Sequence, residues 1–292
     1  MKFWLPVTWA ETDQLVEIAR FAEEVGFHGI INSDHAFFPG ALHTRYPYSE
    51  SGEPFQHALS EYPDCWVTIA AMAAVTSTLR FTSAVYVLPL RNPIEIAKAA
   101  ATLDIVSGGR FALGVGTGWM KEEFDVYGVD FATRGPRTTE MVEVMQALWQ
   151  GGMVAYHGQF FDFPELQIHP VPERPVPVYF GGSAPVALRR CATCGDGWLG
   201  AGNRLDEIPG LLRTLAELRR DAGRDHLPFE AVVPVLAEHR LETFRELEAL
   251  GVGSTSALPF PMVLPERSSL DDKKRVMEAF ATEVIRHFGT PG

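Results

Sequence analysis

The chain has 292 residues, 46% hydrophobic and 21% charged, with 37 acidic against 25 basic side chains and a net charge of −12. That composition excludes general disorder, and its sign is wrong for sequence-independent binding to nucleic acid or an anionic membrane. No apolar run approaches the ~20 residues of a membrane helix, and the apolar patch Met1–Pro6 is broken by proline, so a cytoplasmic protein is expected.

Short β-rich runs alternate with amphipathic stretches. Lys2–Val7 reads as strand one, and Thr8-Trp9-Ala10-Glu11 has the spacing of a capping box. A helix follows on Leu15, Ile18, Ala19, Ala22 and Val25 and stops at Gly26. Phe27–Asn32 is strand two. The segment Ala36–Tyr62 has no clean period and is rich in Pro, Gly, Tyr and His, and loops of that length in compact domains are usually functional or disordered.

Regularity returns at Pro63-Asp64 with a helix to about Thr76, then strand three over Leu79–Leu88. Asn92-Pro93 caps the next helix, which ends at Gly108-Gly109. Arg110–Val115 is strand four, and Gly116–Gly135 reads as a second irregular stretch before a helix bearing Met141, Met145 and Trp149. Val154–Phe163 reads as a small excursion or hairpin. Val176–Phe180, Gly197–Gly200, Phe229–Leu236 and Val252–Leu258 are strands five to eight, each with a helix after it.

Eight such units, with no linker between halves, predict an α/β fold: a (β/α)8 TIM barrel with insertions after strands two and four and before strand five. A doubly wound sheet is the alternative. The whole of 1–292 is read as one domain. Cys191-Ala-Thr-Cys194 lies within a helical stretch and has no second pair to complete a metal site, so these cysteines read as packed helix residues and no metal is expected.

Barrel active sites lie at the C-terminal strand ends. Those ends carry Ser33-Asp34-His35, then Ser83, Ala84 and Tyr86, then Gly116-Thr117-Gly118-Trp119, then Gly181-Gly182-Ser183. His35 is the candidate acid/base, because histidine titrates near neutral pH, with Asp34 beside it to orient it or bind a ligand. Gly181-Gly182-Ser183 opens a helix, where free amides and the helix dipole favour an anion; a simple turn with a Ser183 cap is the plainer interpretation. Gly114-Val-Gly116-Thr-Gly118 fails the dinucleotide pattern, because position 119 is Trp and position 121 is Lys. It fits a glycine-lined floor under a planar ligand. Phe37, Phe38, Tyr46, Tyr48, Trp66 and Trp119 are candidate walls of an apolar pocket.

The stretch Leu79–Phe124, with Ser33-Asp34-His35, Arg134-Gly-Pro-Arg137, GGSAP at 181–185 and Gly195-Asp-Gly-Trp198, resembles the luciferase-like monooxygenase superfamily. It is closest to the branch that uses the deazaflavin coenzyme F420. The resemblance spans nearly the whole chain. It implies a cofactor at the barrel mouth, F420 or alternatively FMN, held by Asp34, Ser83, Ala84, Tyr86, Gly116, Thr117, Gly118, Gly181, Gly182 and Ser183. It implies a cis peptide at Ser83-Ala84, His35 as catalytic acid/base, and Phe37 and Trp119 toward the substrate. Sugar-phosphate dehydrogenases of that branch have a catalytic glutamate where this chain has Trp119, which points to a more apolar substrate. The expected activity is hydride transfer between F420 and a small organic substrate, by a homodimer or higher homo-oligomer. An FMN monooxygenase and a catalytically silent cofactor-binding protein are the alternatives.

Overall fold

The computed structural model describes residues 1–289. Eight parallel strands close into a barrel: β1 (Lys2–Pro6), β2 (Gly29–Asn32), β3 (Arg80–Ser83), β4 (Phe111–Gly116), β5 (Val178–Gly181), β6 (Gly197–Leu199), β7 (Glu230–Val232) and β8 (Ser254–Ser256). Each pairs with the next, and β8 returns to β1 with Phe3 opposite Thr255. The doubly wound alternative is thereby excluded.

The barrel interior is filled by alternate side chains of these strands. Trp4, Ile31, Ala112, Tyr179, Leu199 and Val232 form one buried cluster, with Ala84 and Val85 above it. The outward set, including Phe3, Leu5, Ile30, Phe81, Phe111, Leu113, Val178 and Phe180, packs against the helices. That alternation is the period of two expected of a strand covered on both faces.

The helices begin and end where local chemistry dictates. In α1 (Leu15–Val25), Leu15, Ile18, Ala19 and Ala22 are buried on one face, and Gly26 ends it in the left-handed region at φ +95°. Asp64 caps α2 (Cys65–Ala73) by accepting from the amides of Trp66 and Val67. Asn92 caps α3 (Pro93–Val106). Thr8 caps nothing: its hydroxyl lies 2.7 Å from Ser33 Oγ, and the turn before α1 starts at Glu11.

Strand three is shorter than expected. It breaks at Ala84 and resumes as Tyr86–Val87 alongside Val115 and Gly116. The stretch 116–135 is not wholly irregular either. It contains α4 (Lys121–Tyr127), ended by Gly128 at φ +68°, and α5 (Arg134–Trp149) begins before its end. Val154–His157 and Asp162–Leu166 form the antiparallel hairpin before β5. The helices α6 (Pro185–Cys194), α7 (Ile208–Asp221), α8 (Leu241–Ala249), α9 (Phe260–Val263) and α10 (Leu270–Glu283) complete the outer ring.

Lys273 of α10 ties the two chain ends of the ring together. It is 1% exposed, and its ammonium reaches Glu11, Gln14 Oε1 at 3.0 Å and the Ser268 carbonyl at 2.8 Å. Removing one partner of a buried pair leaves the other uncompensated, at about 3–5 kcal/mol. Lys273→Ala should therefore lower the unfolding free energy by about 3 kcal/mol or more in urea titrations; unchanged stability would show that the pair is not structural.

Candidate active site

The mouth is built around Val85. The peptide between Ala84 and Val85 is cis, one bond later than the position expected from the sequence. A Cβ on Gly116 would lie 2.3 Å from Val85 Cγ2, and one on Gly181 would lie 2.3 Å from Val85 Cγ1. These two glycines are a notch for the Val85 side chain rather than a floor laid open to a ligand. Gly118 is likewise enclosed, at φ +77° with Val87 and Phe124 against it. Thr117 is half-buried between them.

His35 leaves β2 toward the mouth. Its Nδ1 lies 3.2 Å from Oε2 of Glu123, whose other oxygen accepts from the Ala36 amide at 2.7 Å. The Glu123 side chain is fully buried in the first turn of α4. With Nδ1 so engaged, Nε2 is the nitrogen left for a ligand. The His35 ring stands edge-on to Tyr62 at 5.3 Å and to Trp119 at 5.8 Å. Beyond these, Trp9 meets Tyr62 and Tyr46 meets Trp119 at 4.9 Å. Trp9 holds φ +63°, a conformation uncommon outside glycine and frequent at functional positions.

Asp34 does not orient His35. Its carboxylate accepts from the Val87 amide at 3.0 Å and faces the Arg91 guanidinium at 3.4 Å. Burial pushes the Asp34 carboxyl above its ordinary value, against the pull of Arg91 and that amide. Tyr86 lies in the outer wall, not the mouth. Its ring packs on Trp66, its hydroxyl accepts from Arg91 Nε at 3.1 Å, and burial pushes it up to about 12. Trp66 therefore belongs to the core. Ser83 is also committed, its hydroxyl donating to the Gly114 carbonyl at 2.8 Å. Ala84 stays half-buried above the interior cluster.

At β5, Gly182 has φ +103°, and its amide donates to the Leu199 carbonyl at 3.2 Å. That amide is not free for an anion. The amides of Ser183 and Ala184 make no hydrogen bond among the described residues. Ser183 does not cap α6; the cap position is Ala184. Ser183 Oγ instead faces Asn203 Nδ2 at 3.4 Å, and the Oδ1 of Asn203 is buried without a partner.

The long loop after β2 is an ordered cover. Its His43 and Thr44 amides donate to Glu122 Oε1 at 2.7 and 2.9 Å, its Glu61 accepts from the Thr12 amide at 2.7 Å, and its His57 pairs with Glu266. Between its own two ends lies a cavity of about 200 Å³ lined by His35, Phe37, Phe38, Gln56, His57 and Tyr62. Phe37 thus shares a space with His35, and the ring of Trp119 borders His35 from α4's side. Tyr48 reaches across until its hydroxyl is 3.5 Å from where a Cβ on Gly182 would stand. A larger groove of about 590 Å³, between Pro209 of α7 and Glu246 of α8, is lined by neither His35 nor the strand-five loop.

Sequence reasoning missed Glu123, Tyr62 and Trp9. The Glu123 signal was readable: two acids at 122 and 123 followed by Gly128 mark a short helix with a charged first turn.

The sequence profile described as luciferase-like monooxygenase matches residues 6–248. The chain belongs to that family. An uncharacterized protein of Mycobacterium tuberculosis is 35% identical over 92% of this chain and 94% of its own length. The F420-dependent glucose-6-phosphate dehydrogenase of Nocardia farcinica is 32% identical over 72% of this chain and 60% of its own. Among solved structures, a monooxygenase from Streptomyces bottropensis superposes with a TM-score of 0.76 at 19% identity, covering 99% of this chain and 100% of that one. The coenzyme F420-dependent tetrahydromethanopterin reductase of Methanopyrus kandleri gives 0.75 at 17% identity, covering 99% of both chains. Membership of this family supports an oxidoreductase.

Burial works to raise the Glu122 carboxyl, yet the His43 and Thr44 amides hold it at about 2. A carboxyl depressed on folding contributes fully above its ordinary value of 4.5 and loses that contribution progressively as pH falls to about 2, while in the folded protein it stays ionised until about 2. The cover should therefore stay anchored at pH 4. Glu122→Ala should speed proteolytic cleavage within residues 37–60 at neutral pH while the barrel's Tm barely moves; equal cleavage rates would mean that Glu122 is no latch.

Proposed function

We propose that this luciferase-like protein is an F420-dependent oxidoreductase that moves a hydride between the deazaflavin and a small, rather apolar organic substrate. The observation that carries this reading is the His35 imidazole, held through Nδ1 on a buried carboxylate and framed by Tyr62 and Trp119 where Val85 rises into the mouth. The F420-dependent dehydrogenases among its relatives support the choice of cofactor.

The residues present fit such a group. Ala84 and Val85 offer an apolar platform, and the Ser183 and Ala184 amides, with the positive end of α6, offer a polar end for a phosphodiester. The unpartnered Asn203 Oδ1 suits a hydroxyl of the chain between them. Deazaflavin, when bound, supplies a carbon hydride carrier that reacts poorly with oxygen.

The protein's own part is positioning and proton handling. His35 Nε2 takes or gives the proton that accompanies hydride transfer at an oxygen- or nitrogen-bearing carbon. Glu123 keeps the ring in place. The aromatic arc from Trp9 to Tyr48 excludes water around His35, and the cavity beside His35, walled by Phe37, Phe38 and Tyr62, has a volume that suits a small substrate. Trp119 supplies an apolar wall on the other side of the His35 ring. The Asp34–Arg91 pair braces the segment after Val85. We further read 1–292 as one domain acting as a homo-oligomer in the cytoplasm. No described helix is long and apolar enough to cross a membrane, and the net charge of −12 disfavours nucleic acid.

Two measurements test the reading. Fluorescence titration should show tight F420 binding and weak FMN binding; the reverse would support an FMN monooxygenase, and binding of both without turnover would support a silent protein. His35→Ala should bind F420 within a few-fold of wild type but lose about 10²–10⁴-fold in turnover. Full activity in that variant would remove His35 from the chemistry.

A further inference from the structure

The signature Arg134-Gly-Pro-Arg137 has no part in the site above. It opens α5, a helix of 16 residues with no acidic residue in its first turn. A helix N-terminus carries partial positive charge, so acids belong there and cations are disfavoured. Here the first turn holds two arginines of its own, and a third reaches in from α6.

Arg190 lies over Gly135: a Cβ there would stand 2.7 Å from Arg190 Nη2. Its Nε donates to Thr139 Oγ1 at 3.1 Å. Helical side chains lean toward their own N-terminus, so the Arg190 head group sits at the level of the first turns of both helices, on the mouth side. Arg134 stacks on Phe131 at 3.8 Å and donates from Nη1 to the Phe131 carbonyl at 2.8 Å. Its Nε is buried with no partner. Arg137 donates from Nε to the Pro89 carbonyl at 3.1 Å and stacks on Phe161.

The charge of Glu140 reaches Arg137, but no carboxylate pairs with Arg134 or Arg190 among the described residues. None of the three arginines forms an ion pair among the described residues. Glu140, one turn on, spends both oxygens on the amides of Gln159, Phe160 and Phe161. Asp130 caps the Ala132 amide. Burial and the like charge of Arg134 both hold the Arg190 guanidinium below its ordinary value. Arg134 and Arg190, two guanidinium groups without a carboxylate partner in a chain of net charge −12, form a cluster that a bound anion would relieve.

We propose that the guanidinium groups of Arg134 and Arg190 form an anion subsite for the carboxylates of the oligoglutamate tail that F420 carries beyond its phosphodiester. This proposal rests on the deazaflavin reading. Arg190 is on the same helix whose N-terminus offers the Ser183 and Ala184 amides, five residues from Pro185. At about 1.5 Å per residue that is roughly 8 Å along the axis, shortened by the lean of the side chain. A tail leaving the phosphodiester would meet the Arg190 head group within its first units. FMN ends at its phosphate and leaves the subsite empty, so the cluster would also select between the two cofactors.

The test is fluorescence titration of wild type, Arg134→Gln, Arg190→Gln and Arg190→Lys with F420 carrying several glutamates, F420 carrying one, and the precursor F0, which has neither phosphate nor glutamate. Each glutamine variant should bind the long-tailed form about tenfold more weakly, as expected for loss of a hydrogen bond to a charged group, while F0 binding stays within about twofold. Arg190→Lys should recover part of the loss. In wild type, salt should weaken the long-tailed form more steeply than F0. Equal losses for F0 and tailed forms, or affinity independent of tail length, would overturn the subsite and leave the cofactor reading standing. Failure of wild type to bind any form would overturn both. Millimolar inorganic phosphate that stabilises wild type and not the variants, with no tail dependence, would assign the cluster to a free anion and also overturn the proposal.

Discussion

The buried carboxylate of Glu123 is the constraint on which the mouth depends. An anionic oxygen removed from water is tolerated only when its lone pairs are met by donors. Here the donors are the Ala36 amide and His35 Nδ1, both from the segment leaving β2. The carboxylate therefore fixes the distance between the end of β2 and the first turn of α4. It also decides which nitrogen of His35 faces the pocket and where Trp119, four residues earlier, meets its ring.

The neighbouring Glu122 extends the same logic outward. Its oxygen gathers the His43 and Thr44 amides, so one turn of α4 holds both the root and the middle of the long cover. The cover in turn supplies Tyr46, Tyr48 and Tyr62 to the aromatic arc. Polar backbone in a surface loop needs partners, and acids on a rigid helix supply them without closing the cavity. The barrel contributes the other half. Its notch at Gly116 and Gly181 seats Val85, and its strand-five loop leaves two amides free at the start of α6.

Much of this was legible in the sequence because barrel strands and helices have strong periods. The helix face Leu15, Ile18, Ala19 and Ala22, the Asn92 cap, and the eight strand positions all follow from local rules. His35 was legible as a polar residue at a strand end. What escaped was set by contacts distant in sequence. Glu123 is 88 residues from His35, and α4 is only seven residues long, too short for its period to stand out. Of the two roles read for Asp34, orienting His35 failed because adjacency in sequence is not contact; successive residues of an extended chain point opposite ways. Gly116 was read as ligand floor and Gly181 as part of an anion-binding turn, because glycine signals a close approach without saying of what. The partner is Val85, within the same chain.

A crystal structure of the complex with F420 tests the account most directly. The deazaflavin ring should lie against Val85, with His35 Nε2 facing the space beside its reactive edge. The phosphodiester oxygens should stand about 2.7–3.2 Å from the Ser183 and Ala184 amides, the range of an N–H···O bond. A ring seated away from Val85, or a phosphodiester that leaves both amides without a partner, would contradict it.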